Sequence, residues 1–177
     1  MVNIGLNKVQ LSDLDELWAI SYGPKADLKW MAYDGPYFEN PVLDRETFLK
    51  GWGEKIVNQP NYRLIICDKQ MIGLVTAYWE DAPLNQWLEV GMVIYNADLW
   101  GNGIESLVLK LWLKEMFDEY PQLPHLSFTT WSGNIGMQKV GEHAGMLKEG
   151  VIRKVRYWQG EYYDSVKYGI LREEMGD

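Results

Sequence analysis

The 177 residues include 17 Lys+Arg against 25 Asp+Glu, and the net charge of −8 repels a polyanion, which excludes general nucleic-acid binding and favours cationic partners. A hydrophobic content of 47% with 14% aromatics excludes a disordered chain and predicts one globular domain over residues 1–177. No run approaches the ~18 apolar residues of a membrane span, and Met1-Val2-Asn3-Ile4 lacks the basic-then-apolar layout of a secretory signal, so a soluble, cytoplasmic protein is expected.

In chain order, Ile4 to Val9 reads as a strand, and Ser12 is a plausible N-cap for a helix with Leu14, Leu17 and Trp18 inward. From Tyr22 to Leu43 periodicity fails while Trp30, Met31, Tyr33, Tyr37 and Phe38 gather among glycines and prolines, giving an aromatic, partly looped segment. Asp44 is expected to cap a helix reaching about Asn58, with Phe48, Trp52 and Ile56 on one stripe despite Gly51 and Gly53. Tyr62 to Cys67 and Met71 to Trp79 form a hairpin through Asp68-Lys69-Gln70. Cys67, the only cysteine, reads as a small core residue; alone it makes neither an intramolecular disulfide nor a thiolate metal cluster. His125 and His143 are not at a metal-ligand spacing, so no metal is expected.

Trp87 to Tyr95 carries apolar residues at both parities, the mark of a strand covered on two faces. It runs through Asn96-Ala97-Asp98-Leu99 and Trp100-Gly101-Asn102-Gly103 into an amphipathic helix with Ile104, Leu107, Val108, Leu111, Trp112, Met116 and Phe117 at spacings of three and four. Strand, glycine turn and helix start gather unpaired N–H groups and partial positive charge, a nest suited to phosphate. The plain alternative is a strand-to-helix turn in which glycine supplies only unusual backbone angles. A P-loop is excluded because Ile104 and Glu105 follow Gly103 where Lys and Ser/Thr are required, and a dinucleotide fingerprint lacks its third glycine at Ser106. Leu126 to Trp131, Ser132-Gly133-Asn134 and a helix over Ile135 to His143 complete a β-α-β unit with parallel pairing. Val151 to Trp158 and Tyr162 to Leu171 read as a closing hairpin, and Arg172 to Asp177 as a tail.

Leu88-Glu89-Val90-Gly91-Met92 followed by Trp100-Gly101-Asn102-Gly103 resembles the acyl-CoA-binding region of the GNAT superfamily of N-acetyltransferases, whose pattern is Gln/Arg-x-x-Gly-x-Gly/Ala. More narrowly it is similar to the A-E-I-G-Y and W-G-x-G segments of the branch containing ribosomal-protein N-terminal acetyltransferases. Asn134 with Gly145 to Gly150 resembles that family's Asn-x-x-Ser … Gly-Phe-x-x-Glu-Gly pattern, and Tyr163-Asp164-Ser165-Val166 matches the same branch. Asp98 departs from the Gln/Arg position. The likeness covers most of the chain and is thinnest from Tyr22 to Leu43.

The resemblance implies an α/β (α+β) fold: a twisted, mostly antiparallel sheet of about seven strands, with the fourth and fifth parallel and splayed. It implies acetyl-CoA as co-substrate, its pantetheine arm paired with Met92, Val93 and Ile94, an N–H near Val93 holding the oxyanion, and Trp100, Gly101, Asn102, Gly103, Ile104 and Glu105 cradling the pyrophosphate. A lysine-like amine is mostly protonated at pH 7, a penalty of roughly 4 kcal/mol, so a base is useful. Glu89 stands in that position by resemblance; its alternative role is a structural ion pair. Gly141 and Met137 occupy the places of the usual proton donors, and Asn134 reads equally as a pantetheine ligand or a helix N-cap. The expected function is acetyl transfer to a primary amine, either a small molecule or a peptide N-terminus, the alternative being a non-catalytic acyl-CoA sensor. The segment after the first helix would wall the acceptor pocket or supply core and dimer surface, and nine tryptophans with eleven tyrosines suggest a homodimer.

Overall fold

The computed structural model describes residues 3–176. Seven strands, β1 (Ile4–Lys8), β2 (Tyr62–Cys67), β3 (Gln70–Trp79), β4 (Leu88–Ile94), β5 (His125–Trp131), β6 (Leu147–Trp158) and β7 (Glu161–Leu171), form one sheet in the order β1-β2-β3-β4-β5-β7-β6. Every neighbouring pair is antiparallel except β4 and β5. The β2–β3 hairpin turns on Asp68 and Lys69 alone, both with positive φ (45° and 72°), a conformation that suits a two-residue hairpin.

The both-parity apolar pattern of the middle strands is explained by cover on both sides. Below the sheet, α4 (Ile104–Glu119) and α5 (Ile135–His143) bury Val108, Leu109, Trp112 and Met116 against Val75, Ala77, Leu88, Val90 and Phe128. Trp112 is wholly buried, and its indole N–H donates to the Thr76 carbonyl at 2.8 Å, which avoids the penalty of an unpaired polar group in that layer. Above it, α1 (Leu14–Ser21), the short helices α2 (Arg45–Phe48) and α3 (Glu54–Ile56), and Trp30 pack on Leu64, Leu74 and Tyr95.

Two expectations for this upper layer are corrected. Ser12 lies inside a 3-10 turn, Leu11–Asp13, and Asp13 takes the N-cap position of α1 without a side-chain bond to that helix, its carboxylate instead accepting the Gln10 N–H at 2.8 Å. Asp44 does cap its helix, taking the Thr47 N–H at 2.9 Å, but the helix is not continuous to Asn58. A π-helical turn, Leu49–Gly53, separates α2 from α3, which stops at Ile56 before Asn58 takes a φ of 57°. Gly53 eases the packing there, since a Cβ would make a tight 3.2 Å contact with the Phe48 carbonyl oxygen. Among the described residues no helix is long and apolar enough to cross a membrane.

The feature that positions the site is the brevity of the parallel pairing. β4 meets β5 only at Leu88↔Leu126 and Glu89↔Ser127, yet β4 stays on β3 as far as Ile94 and β5 stays on β7 as far as Trp131. The two strands therefore part after Glu89.

Candidate functional site

A cleft of about 1280 Å³ opens where β4 and β5 separate, and Glu89 stands at its vertex. Its neighbours are fixed by strand register: Tyr78 opposite on β3, Ser127 opposite on β5, and Lys167 on β7 opposite Thr129. Alternation of side chains puts all five on the upper face of the sheet. The Glu89 carboxylate is only 1% exposed. Tyr78 Oη donates to its Oε2 at 2.8 Å, Thr129 Oγ1 lies 2.9 and 2.8 Å from its two oxygens, Ser127 Oγ donates at 3.3 Å and Lys167 Nζ at 2.9 Å. A buried carboxylate is tolerated only with such partners. Thus the structural ion pair anticipated for Glu89 exists, and it lies on the cleft wall.

The donors are themselves held. Trp87 Nε1 donates to Ser127 Oγ at 2.7 Å, and Lys167 Nζ reaches Thr129 Oγ1 at 2.8 Å and Glu80 at 3.9 Å. Burial, with the Glu89 charge and hydrogen bond added, holds the Tyr78 hydroxyl well above the ordinary tyrosine range. Gly91 is required by packing against β3, since a Cβ there would lie 2.7 Å from Thr76 Oγ1.

Beyond Glu89 the β4 edge facing β5 has no strand partner. The Tyr95 N–H donates to the Ile72 carbonyl and the Trp87 carbonyl accepts from Glu80, so odd-numbered residues of this antiparallel ladder direct their backbone groups to β3. Val93 follows that parity, and its carbonyl crowds Gly73, where a Cβ would collide with it. Met92 and Ile94 direct theirs into the gap, where the Ile94 carbonyl accepts from Trp100 Nε1 at 2.9 Å. Of the three expected backbone contacts, Met92 and Ile94 present free N–H directions and Val93 does not.

The glycine turn is open. Gly101 (φ 75°) and Gly103 (φ 82°) are left-handed, Gly103 caps α4, and nothing lies within 4 Å of a Cβ placed on either. The Leu107 N–H is the first to find an intrahelical partner, at Gly103, which leaves those of Ile104, Glu105 and Ser106 directed outward. One N–H of the turn is already used: Glu105 Oε1 accepts the Gly101 N–H at 2.7 Å. Asn102 turns its amide toward the Leu99 carbonyl at 3.5 Å.

Across the cleft, Asn134 Oδ1 accepts the Met137 N–H at 3.0 Å, the capping role, and its Nδ2 lies 3.4 Å from the Tyr33 carbonyl. The Tyr22–Leu43 segment contributes both to the upper core and to the cleft lining. Trp30 is buried in the upper core, while Tyr33, Tyr37 and Phe38 line the cleft, with Arg156 stacked over Tyr37 and Phe38 at 5.0 and 5.3 Å. Asp34 shares that wall, and burial raises its carboxyl above the usual range.

Sequence reasoning singled out Glu89 and the glycine turn, which line the cleft, but not Tyr78, Ser127, Thr129 and Lys167, which surround Glu89. A usable signal existed in β5, where polar Ser127 and Thr129 alternate with Leu126 and Phe128; Tyr78 and Lys167 stand in mixed strands and gave none. Gly141 is explained by packing, since a Cβ there would lie 2.7 Å from the Phe128 ring. Among the described residues no group of three or more His, Cys, Asp or Glu is disposed to hold a metal.

Comparison with known proteins agrees with the fold. Residues 3–147 match the family model of an acetyltransferase (GNAT) domain. The chain is 24% identical over 129 residues to the SPbeta prophage-derived uncharacterized N-acetyltransferase YokL of Bacillus subtilis, covering 72% of this chain and 71% of that one. It is 25% identical over 150 residues to the putative ribosomal N-acetyltransferase YdaF of the same organism, covering 82% and 78%. The spermidine N-acetyltransferase of Vibrio cholerae, solved with CoA and spermine, superposes with a TM-score of 0.74 at 18% identity, covering 97% of each chain.

Proposed function

Since the chain belongs to the GNAT acetyltransferase family, and is an N-acetyltransferase, we propose that it moves an acetyl group from acetyl-CoA to a primary amine, with Glu89 as the proton acceptor. One observation carries the reading: a fully ligated, buried carboxylate stands where β4 and β5 part, beside an unpaired backbone edge. The pantetheine arm fits that gap, its amides pairing with Met92 and Ile94. An N–H of this pair, one residue to either side of Val93, is the donor for the oxyanion, an effect typically worth about 3 kcal/mol. Gly101, Gly103 and the N–H groups of Ile104 and Glu105 take the pyrophosphate, with Trp100 and Asn102 shaping the turn and Asn134 facing them from α5. CoA in the Vibrio cholerae neighbour supports the choice of co-substrate.

For the acceptor, the aromatic and acidic wall of Tyr33, Asp34, Tyr37 and Phe38, in a chain of net charge −8, supports a cationic amine. Spermine bound to one neighbour and the ribosomal name of a relative support a polyamine-like molecule and a protein N-terminus respectively. A second reading, an acyl-CoA sensor without turnover, is favoured by the absence of a titratable side chain at Gly141 and Met137. An amine and peptide panel with acetyl-CoA, read by thiol release, decides between them. Turnover by the wild type that falls roughly 100-fold in Glu89→Gln is expected. Tight CoA binding without thiol release for any acceptor would establish the sensor.

A further inference from the structure

Glu89 is the proton sink of the proposed reaction, yet at 1% exposure no acceptor can touch it directly. A proton must enter through one of the four side chains around it, and their hydrogen bonding distinguishes them. Ser127 Oγ already accepts from Trp87, and Thr129 Oγ1 already accepts from Lys167. Lys167 is a donor on every side, to Glu89, to Thr129 and toward Glu80, and its ammonium beside an ammonium-bearing acceptor is repulsive. Tyr78 differs: its hydroxyl donates to Glu89 at 2.8 Å, its oxygen accepts from no described residue, and it is 47% exposed on the cleft wall.

We propose that Tyr78 is the catalytic group that meets the acceptor amine, relaying its proton to Glu89. The inference rests on the acetyl-transfer reading above. The acceptor ammonium gives a proton to Tyr78 Oη as the Tyr78 hydrogen passes to a Glu89 oxygen, and the lone pair so freed forms the N–C bond at the thioester carbonyl. Collapse of the tetrahedral intermediate breaks the C–S bond, the electron pair leaves with sulfur, and water carries the second nitrogen proton to the thiolate. Glu89 then gives its proton back through Tyr78 to solvent. Such a relay needs a phenol that remains a phenol, because only a hydroxyl donates and accepts at once. Burial and the neighbouring Glu89 charge keep Tyr78 in that form across the neutral range.

The test compares the wild type, Tyr78→Phe, Glu89→Gln and the double variant, using acetyl-CoA and the best acceptor of the amine panel. The expected result is a fall in kcat/KM of roughly 100-fold in Tyr78→Phe, with the acetyl-CoA Kd measured by calorimetry unchanged. Two groups on one path give non-additive losses, so the double variant should match the worse single variant to within about twofold. Full activity in Tyr78→Phe, or single losses that multiply in the double variant, would overturn the relay. A proton inventory in mixed H₂O/D₂O on the unmodified protein gives an answer that survives misfolding of any variant: a curved plot, with more than one proton in flight, is expected, and a linear one overturns the proposal. Failure of the acetyl-transfer reading looks different, since the wild type itself would then release no thiol, and the relay would fall with it.

Discussion

Glu89 and Gly103 show two ways in which a single residue fixes this site. Glu89 is defined by what surrounds it, four donors that hold a charge the apolar strand would otherwise reject. Gly103 is defined by what is absent, since its left-handed backbone and the empty space around it leave the cradle open. Replacing Gly103 with Trp therefore imposes strain at a φ of 82° and projects an indole into the space proposed for the pyrophosphate. Isothermal titration should show CoA binding abolished in Gly103→Trp, while unchanged affinity would place the nucleotide elsewhere. Tyr168 yields a residue-scale expectation for pH. It is fully buried, and burial, the hydrogen bond it donates to Glu142 Oε1 and that carboxylate's charge push it up to about 12. A raised pKa means that the unfolded chain releases the proton first, so this contribution to stability is complete below about pH 10 and is lost as pH climbs through about 12. Thermal melts of Tyr168→Phe should accordingly lose less Tm than wild type across that interval.

At the scale of elements, α4 begins with an internal conflict. A helix start with three outward N–H groups attracts an anion, and Glu105 of its own first turn supplies one by accepting the Gly101 N–H. A phosphate arriving there must displace a carboxylate and tolerate its charge. Glu105→Gln weakens both objections, so CoA should bind it several-fold more tightly; weaker binding in calorimetry would show instead that Glu105 organises the turn. Elements of strong period were the ones legible in the sequence. Strand Tyr62–Cys67, helix Ile135–His143 and the parallel pairing of the fourth and fifth strands were anticipated, because core burial dictates their patterns, while the splay of those two strands followed from the family resemblance. The π-helical turn Leu49–Gly53 was not, since a continuous Phe48-Trp52-Ile56 stripe carries no sign of the extra residue in the turn. Within the site the glycine turn was legible along one stretch, and Glu89 was singled out by the family resemblance. The companions Tyr78, Thr129 and Lys167 come from three other strands and are assembled only by register, which no local pattern encodes. Val93 was assigned a backbone role that parity gives to its neighbours, because which edge of a strand an N–H faces depends on its partner strand.

For the whole molecule, the sheet ends on β6, an edge strand that exposes Val151, Ile152, Val155 and Tyr157 beside Tyr162 of β7. An apolar edge of that length is a liability in a monomer, and we expect it to be covered in a homodimer. Sedimentation at increasing concentration should reveal the dimer, and a monomer throughout would dispose of it. The early parting of β4 and β5 has a consequence that does not depend on catalysis. Strands in the middle of a sheet normally protect their amides from solvent exchange, yet Met92 and Ile94 lie mid-sheet with N–H groups turned into a gap. In deuterated buffer these two amides should exchange like those of a surface loop, while Val93 between them stays slow. Saturation with CoA should then slow Met92 and Ile94 to the rate of their neighbour, turning an every-other-residue pattern of deuterium uptake along one strand into a direct count of the backbone bonds that the ligand makes.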